Sequence, residues 1–187
     1  STAEEESRGI SLCISSQVGC ALACKFCATG TMGLKRNLTA GEIVAQVVVM
    51  LNNLDYEPTT VNIIYMGMGE PFQNTDNVLD SLEILNESKG LEIPMKRITV
   101  STAGIPEGIY EMFCMENPPR LAISLHAPSQ ELREELVPIA MSYELDELIE
   151  FCRGLPLKSR DMITIEYVIL NGVNDKPEQA QELADLL

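Results

Sequence analysis

Basic residues are scarce in this chain. Across 187 residues, 13 Lys and Arg stand against 28 Asp and Glu, for a formal net charge of −15. Cation–phosphate contacts supply much of nucleic-acid affinity, so this balance excludes a protein that holds nucleic acid by bulk charge alone. There is one histidine, His126, and hence a single candidate for an imidazole base or ligand. No apolar run approaches the ~20 residues of a membrane helix, and no charged-then-apolar leader opens the chain. The expectation is a cytoplasmic, monomeric chain with no membrane association. Repeats and low-complexity tracts are also absent, and 45% hydrophobic residues fit one globular domain with a sizeable core. The chain has no initiator Met, so it reads as a fragment: residues 1–7 a flexible acidic lead-in, and 8–187 one domain, truncated at its C-terminal side.

Acidic residues are themselves missing from one stretch. Between Ser7 and Gly41 there are Arg8, Lys25, Lys35 and Arg36 and no carboxylate. That stretch also holds the densest chemistry. Six cysteines without a secretion signal argue for reduced thiols rather than a disulfide framework, and three of them, Cys20, Cys24 and Cys27, lie at i, i+4 and i+7. A loop can bring three such thiols to one point, which would be a metal centre. No second Cys-x-x-Cys or Cys/His pair follows, as a closed structural zinc site would require. Three thiolates on a [4Fe–4S] cluster, by contrast, leave one iron open to an exogenous ligand. A cysteine loop that binds nothing is the alternative.

The remaining pattern alternates strand and helix. Ser11–Ser15 reads as a strand leading into the cysteine loop. Thr39 to Glu42 has the form of a capping box, followed by Ile43, Val47, Met50 and Leu54 at helical spacing. Val61–Met66 reads as a buried strand ended by Gly67-Met68-Gly69. Asp76 can cap a helix carrying Val78, Leu82 and Leu85. Strands Arg97–Ser101, Arg120–Ser124 and Met162–Leu170 alternate with helices Pro106–Cys114, Gln130–Val137, Leu145–Gly154 and one from Pro177. Cys114 and Cys152 fall on helices and read as core. About five βα units result, which imply an α/β parallel sheet, doubly wound or barrel. Glu166 is either inward-facing polar lining or an outward surface residue.

Cys-x-x-x-Cys-x-x-Cys, preceded by Cys13 to Gly19 and followed by Gly67-Met68-Gly69-Glu70-Pro71, Ser101-Thr102-Ala103-Gly104 and Ser124-Leu125-His126-Ala127, resembles the RlmN/Cfr family of radical S-adenosylmethionine (SAM) enzymes. The resemblance runs from about Arg8 to Leu187, and Ala21-Leu22 favours the RlmN branch. It implies a partial (β/α)6 TIM-like barrel, with chemistry in the loops after the strands. It further implies a [4Fe–4S] cluster on Cys20, Cys24 and Cys27. SAM would be held by Gly69, Glu70, Ser101, Ser124, Leu125 and His126, with Glu70 accepting from its amino group. Cys13 would be a second functional thiol that resolves a protein–RNA intermediate. The implied activity is methylation of adenine C2 in 23S rRNA and tRNA through a methyl-cysteine, with electrons from a flavodoxin- or ferredoxin-type donor. Nothing here matches the family's carrier cysteine, its SAM-contacting Asn or its upstream Glu, which leaves the cluster-and-SAM half of such an enzyme. Cfr-like C8 methylation is the near alternative, and a non-catalytic metal-binding or redox-sensing module the distant one.

Overall fold

The computed structural model describes residues 9–158 and 161–187. The lead-in expected over residues 1–7, and Arg8 of the basic stretch, lie outside the described residues. In chain order the elements are β1 (Gly9–Cys13), β2 (Gln17–Val18), β3 (Arg36–Asn37), α1 (Ala40–Asn52), β4 (Thr60–Tyr65), α2 (Thr75–Asn86) and β5 (Ile98–Thr102). They continue with α3 (Pro106–Phe113), β6 (Arg120–Ser124), α4 (Gln130–Leu136), α5 (Leu145–Arg153), β7 (Thr164–Glu166) and α6 (Pro177–Leu186).

Strands β1, β4, β5, β6 and β7 form one sheet in that spatial order, and every neighbouring pair is parallel. A doubly wound sheet reverses its order at a switch point. Here each new strand joins the same side, so the fold is α/β of the partial TIM-like barrel type. Ile63, Ile98, Val100, Leu121, Ala122 and Ile123 are all buried, as expected of parallel strands covered by helices. On the helical side, Ile43 and Val47 of α1 and Val78, Leu82 and Leu85 of α2 close the main core. Among the described residues no helix is long and apolar enough to cross a membrane.

The capping box forms as expected: the Glu42 amide donates to Thr39 Oγ1 at 3.2 Å, and the Thr39 amide to Glu42 Oε2 at 3.0 Å. Helix α2 differs. Asp76 sits inside its first turn, and Asn74 occupies the cap position without capping. The Asn74 side-chain Nδ2 instead donates to the carbonyls of Ser16 and Leu38, both at 2.8 Å, pinning the chain on either side of the cysteine loop.

Strand β1 lies two residues earlier than the expected Ser11–Ser15, and β7 is shorter than its apolar run, because side chains take the ladder groups. The Ser15 amide donates to Gln46 Oε1 at 2.9 Å, and β1 ends at Cys13. The Val168 amide donates to His126 Nδ1, while Asn174 accepts from the Leu170 amide and donates to the Val168 carbonyl. That leaves β7 three residues of the expected Met162–Leu170. Cys152 is buried on α5, but Cys114 follows α3 as an exposed residue, contrary to its reading as core.

Candidate active site at the strand ends

The cysteine loop is an excursion clasped at its base. Gln17 pairs with Asn37 and Val18 with Arg36 in the β2–β3 ladder. Gly19 lies just inside with φ +81°, where a Cβ would stand 1.9 Å from the Gly33 carbonyl oxygen, so no other residue closes the loop this tightly. Within the loop the Cys27 amide donates to the Cys24 carbonyl, and the Gly30 amide to that of Cys27. The Lys25 amide donates to the Leu136 carbonyl at 3.0 Å, tying the loop to the end of α4. Cys20, Leu22, Cys24 and Phe26 pack there against Ala103, Leu136 and Val137.

All three thiols line one cavity of about 420 Å³ at the C-terminal ends of the strands. Every strand of the main sheet but β1 ends on it directly: Tyr65, Gly67, Gly69 and Glu70 at the end of β4, Ser101 to Ala103 at that of β5, Ser124 and His126 at that of β6, Glu166 to Val168 at that of β7. Burial first, and then neighbouring charge, pushes Cys20 and Cys24 up, Cys24 to about 11, with Cys20, Cys27 and Glu70 each adding to the effect there. Such a set is poised for a cation, whose charge reverses that trend. Among the described residues no three His, Cys, Asp or Glu side chains converge as ligands to a single ion. The expectation of convergence on one point is corrected to a shared cavity wall. A polynuclear cluster needs no such single point, because each thiolate binds a different iron.

The Gly67–Glu70 loop is built on the strand entering the cysteine loop. The Ser16 and Gln17 amides donate to the Met68 carbonyl, the Met68 amide to Ser15 Oγ, and the Glu70 amide to Gln17 Oε1. Gly69, at φ +106°, would place a Cβ 2.6 Å from that of Gln17, so this glycine serves the contact between loops. Glu70 is 3% exposed and accepts three bonds: Oε1 from the Phe72 amide and Thr102 Oγ1, Oε2 from the Ala103 amide at 2.8 Å. Burial nonetheless pushes its carboxyl above the ordinary range. A carboxylate has about four acceptor positions, so most of its capacity is spent inside the protein.

Glu166, undecided from sequence, faces inward. Its Oε2 accepts from Ser101 Oγ at 2.6 Å and Ser124 Oγ at 2.9 Å, joining three strand ends. The register forces this arrangement, because Ser124 lies opposite Glu166 and Ser101 opposite Ala122. His126 takes the left-handed conformation, φ +62°, and its ring meets Phe26 edge-on at 4.5 Å. Desolvation lowers it to about 4, so the imidazole is neutral near pH 7, in keeping with Nδ1 accepting a bond. Leu125 is buried, and its amide, like that of His126, donates to the Glu166 carbonyl. Cys13 ends β1 as an exposed residue and does not line the cavity.

Thr102 and Asn174 were missed. Thr102 braces Glu70, and Asn174, 3% exposed, donates to the His126 carbonyl. Their signals were slight: a hydroxyl beside Ser101, and an Asn in the turn after β7. The basic stretch is also less bare than it reads, since Lys25 pairs with Glu135 and Arg36 with Glu42.

The neutral His126 gives a pH expectation. An unfolded histidine binds its proton near pH 6.5 and the folded one only near 4, so stability falls as pH drops through that window. The full loss is on the order of 3 kcal/mol. His126→Gln should flatten urea-derived stability between those pH values, and an unchanged slope would show that the ring protonates freely in the fold.

The radical SAM superfamily profile matches residues 14–187. The dual-specificity RNA methyltransferase RlmN of Syntrophobacter fumaroxidans is 48% identical over 176 residues, covering 94% of this chain and 51% of that protein. The RlmN of Lawsonia intracellularis is 49% identical over 183 residues, covering 95% and 51%. This chain therefore spans about half the length of the curated relatives it matches. A radical SAM methyltransferase from Sphaerobacter thermophilus superposes with TM-score 0.88 at 47% identity, over 95% of this chain and 52% of that one. Streptococcus suis SuiB bound to S-adenosylmethionine shares the fold, with TM-score 0.62 at 20% identity over 96% of this chain and 38% of its own. With its cysteine triad on one strand-end cavity and the profile spanning nearly all the described residues, this chain belongs to the radical SAM superfamily.

Proposed function

We propose that this chain is the cluster- and SAM-binding part of an RlmN-type enzyme that methylates C2 of adenine in 23S rRNA and tRNA. The cofactors of the superfamily are a [4Fe–4S] cluster and SAM. The observation that carries the reading is the joint lining of one cavity by Cys20, Cys24, Cys27 and the polar strand ends. Cys20, Cys24 and Cys27 would hold the cluster and leave one iron for the SAM amino and carboxylate groups. Once reduced, such a cluster supplies the electron that cleaves SAM; the protein contributes binding and orientation.

Each polar group has a place in that task. The Gly67–Glu70 loop offers carbonyls and the remaining Glu70 lone pair to an ammonium. Ser101, Ser124 and Glu166 form a hydroxyl–carboxylate edge suited to a vicinal diol such as the SAM ribose, since both hydroxyls bond the Glu166 carboxylate through Oε2. Neutral His126 and Phe26 wall the cavity. Cys13, outside the cavity and exposed, suits a thiol that meets a macromolecular intermediate rather than SAM. Lys35 and the partly paired Lys25 and Arg36 lie on the stretch that would meet RNA phosphates.

Anaerobic reconstitution tests the proposal. Four iron and four sulfide per chain, with reductant-dependent release of 5′-deoxyadenosine and methionine from SAM, are expected. Stoichiometric zinc without sulfide would favour a metal-binding module instead. In a version extended to its relatives' length, 2-methyladenosine is the expected RNA product, and 8-methyladenosine would move the protein to the Cfr branch.

A further inference from the structure

Arg133 is an unusual residue to find on α4. It is fully buried, yet no ion pair among the described residues includes it. One guanidinium nitrogen, Nη2, donates to the Ala103 carbonyl; Nε and Nη1 have no hydrogen-bond partner. Desolvation lowers the group only to about 10, so it keeps its charge near pH 7. A buried, uncompensated cation is costly, and native proteins seldom carry one without a counter-ion.

Its surroundings name that counter-ion. The side chain lies within electrostatic range of two thiols, Cys24 and Cys152. Burial holds the Cys152 thiol up at about 11, and nothing else in the fold would ionise it. Cys24 is different, because ligation to iron makes it a thiolate. The docking is firm on both sides: Lys25, next to Cys24, is tied to the Leu136 carbonyl three residues beyond Arg133, and the Ala103 amide is held by Glu70.

We propose that Arg133 is the buried counter-charge of the iron–sulfur centre, a positioning residue that acts through Cys24 to raise the centre's reduction potential. The inference rests on Cys20, Cys24 and Cys27 being the cluster ligands. Reduction adds one electron to a centre already carrying three thiolates. A fixed positive charge in low-dielectric surroundings favours that added electron, and net charge is a main determinant of cluster potentials.

The test compares Arg133→Met, Arg133→Gln and Arg133→Lys after anaerobic reconstitution, by iron and sulfide content and a spectroscopic redox titration. Met and Gln should lower the midpoint potential by at least the equivalent of a tenfold change in the reduced-to-oxidised ratio, about 59 mV for one electron. Lys should stay nearer the parent. Loss of iron from Met and Gln with retention in Lys would support the same role. A parent-like potential in Met and Gln, an equal fall in Lys, or loss of iron from all three would overturn it, since shape rather than charge would then decide. Should Arg133→Met not fold, Gln against Lys carries the same decision. The ligand assignment is checked separately in the parent: a parent that binds no iron sinks that assignment, and the counter-charge falls with it.

Discussion

Cys24→Ala is expected to leave the chain without a [4Fe–4S] cluster, with iron and sulfide at background after anaerobic reconstitution. Two thiolates cannot hold a cubane against solvent, and Cys24 is the middle thiol of the triad in the loop clasped by β2 and β3. Its carbonyl also accepts the Cys27 amide, so it sits at the turn that presents the third thiol. Because burial and the neighbouring thiols hold Cys24 at about 11, almost none is ionised near neutrality without a cation. Loading must therefore release protons and weaken as pH falls. Cys114→Ala is the matched control, since Cys114 is exposed at the end of α3 and away from the cavity. Parent-level iron in Cys24→Ala would end the ligand assignment.

Glu70→Ala should cost more stability than any other single change in the cavity wall. It strips the acceptor from the Phe72 amide, the Ala103 amide and the Thr102 hydroxyl, all buried. Each orphaned donor costs about 1–3 kcal/mol, so the sum approaches a domain's whole margin of about 5–15 kcal/mol. Urea unfolding of the metal-free chain should show the midpoint collapse, and a midpoint equal to the parent's would mean that water replaces the carboxylate freely. The pH dependence runs opposite to that of His126. Burial raises the folded Glu70 carboxyl above its unfolded value, so its contribution is fully present at low pH and is lost as pH rises through the folded value. Glu70→Gln should remove that slope at a smaller cost, because an amide still offers one acceptor.

Much of this protein was legible in one dimension. The capping box of α1, the Pro106 start of α3 and the bounds of β6 follow from contacts within a few residues, which spacing records directly. That the three thiols share one cavity wall was likewise readable, since a cysteine triad eight residues long lies within a single loop. What only the tertiary structure decided depends on groups far apart in the chain. An apolar run cannot show that His126 and Asn174 will take the backbone groups of Val168 and Leu170 and cut β7 short. Nor can alternation along β7 tell which face meets Ser101 and Ser124; the register of three strands turns Glu166 inward. The carboxylate-free stretch around the cysteines acquires its partners from Glu135 and Glu42. Arg133 reads in sequence as one more charge on a polar helix, and only the packing of α4 against the cysteine loop buries it beside Cys24. Short-range hydrogen bonding and periodicity are written in the order of residues, whereas burial and charge environment arise when distant segments meet.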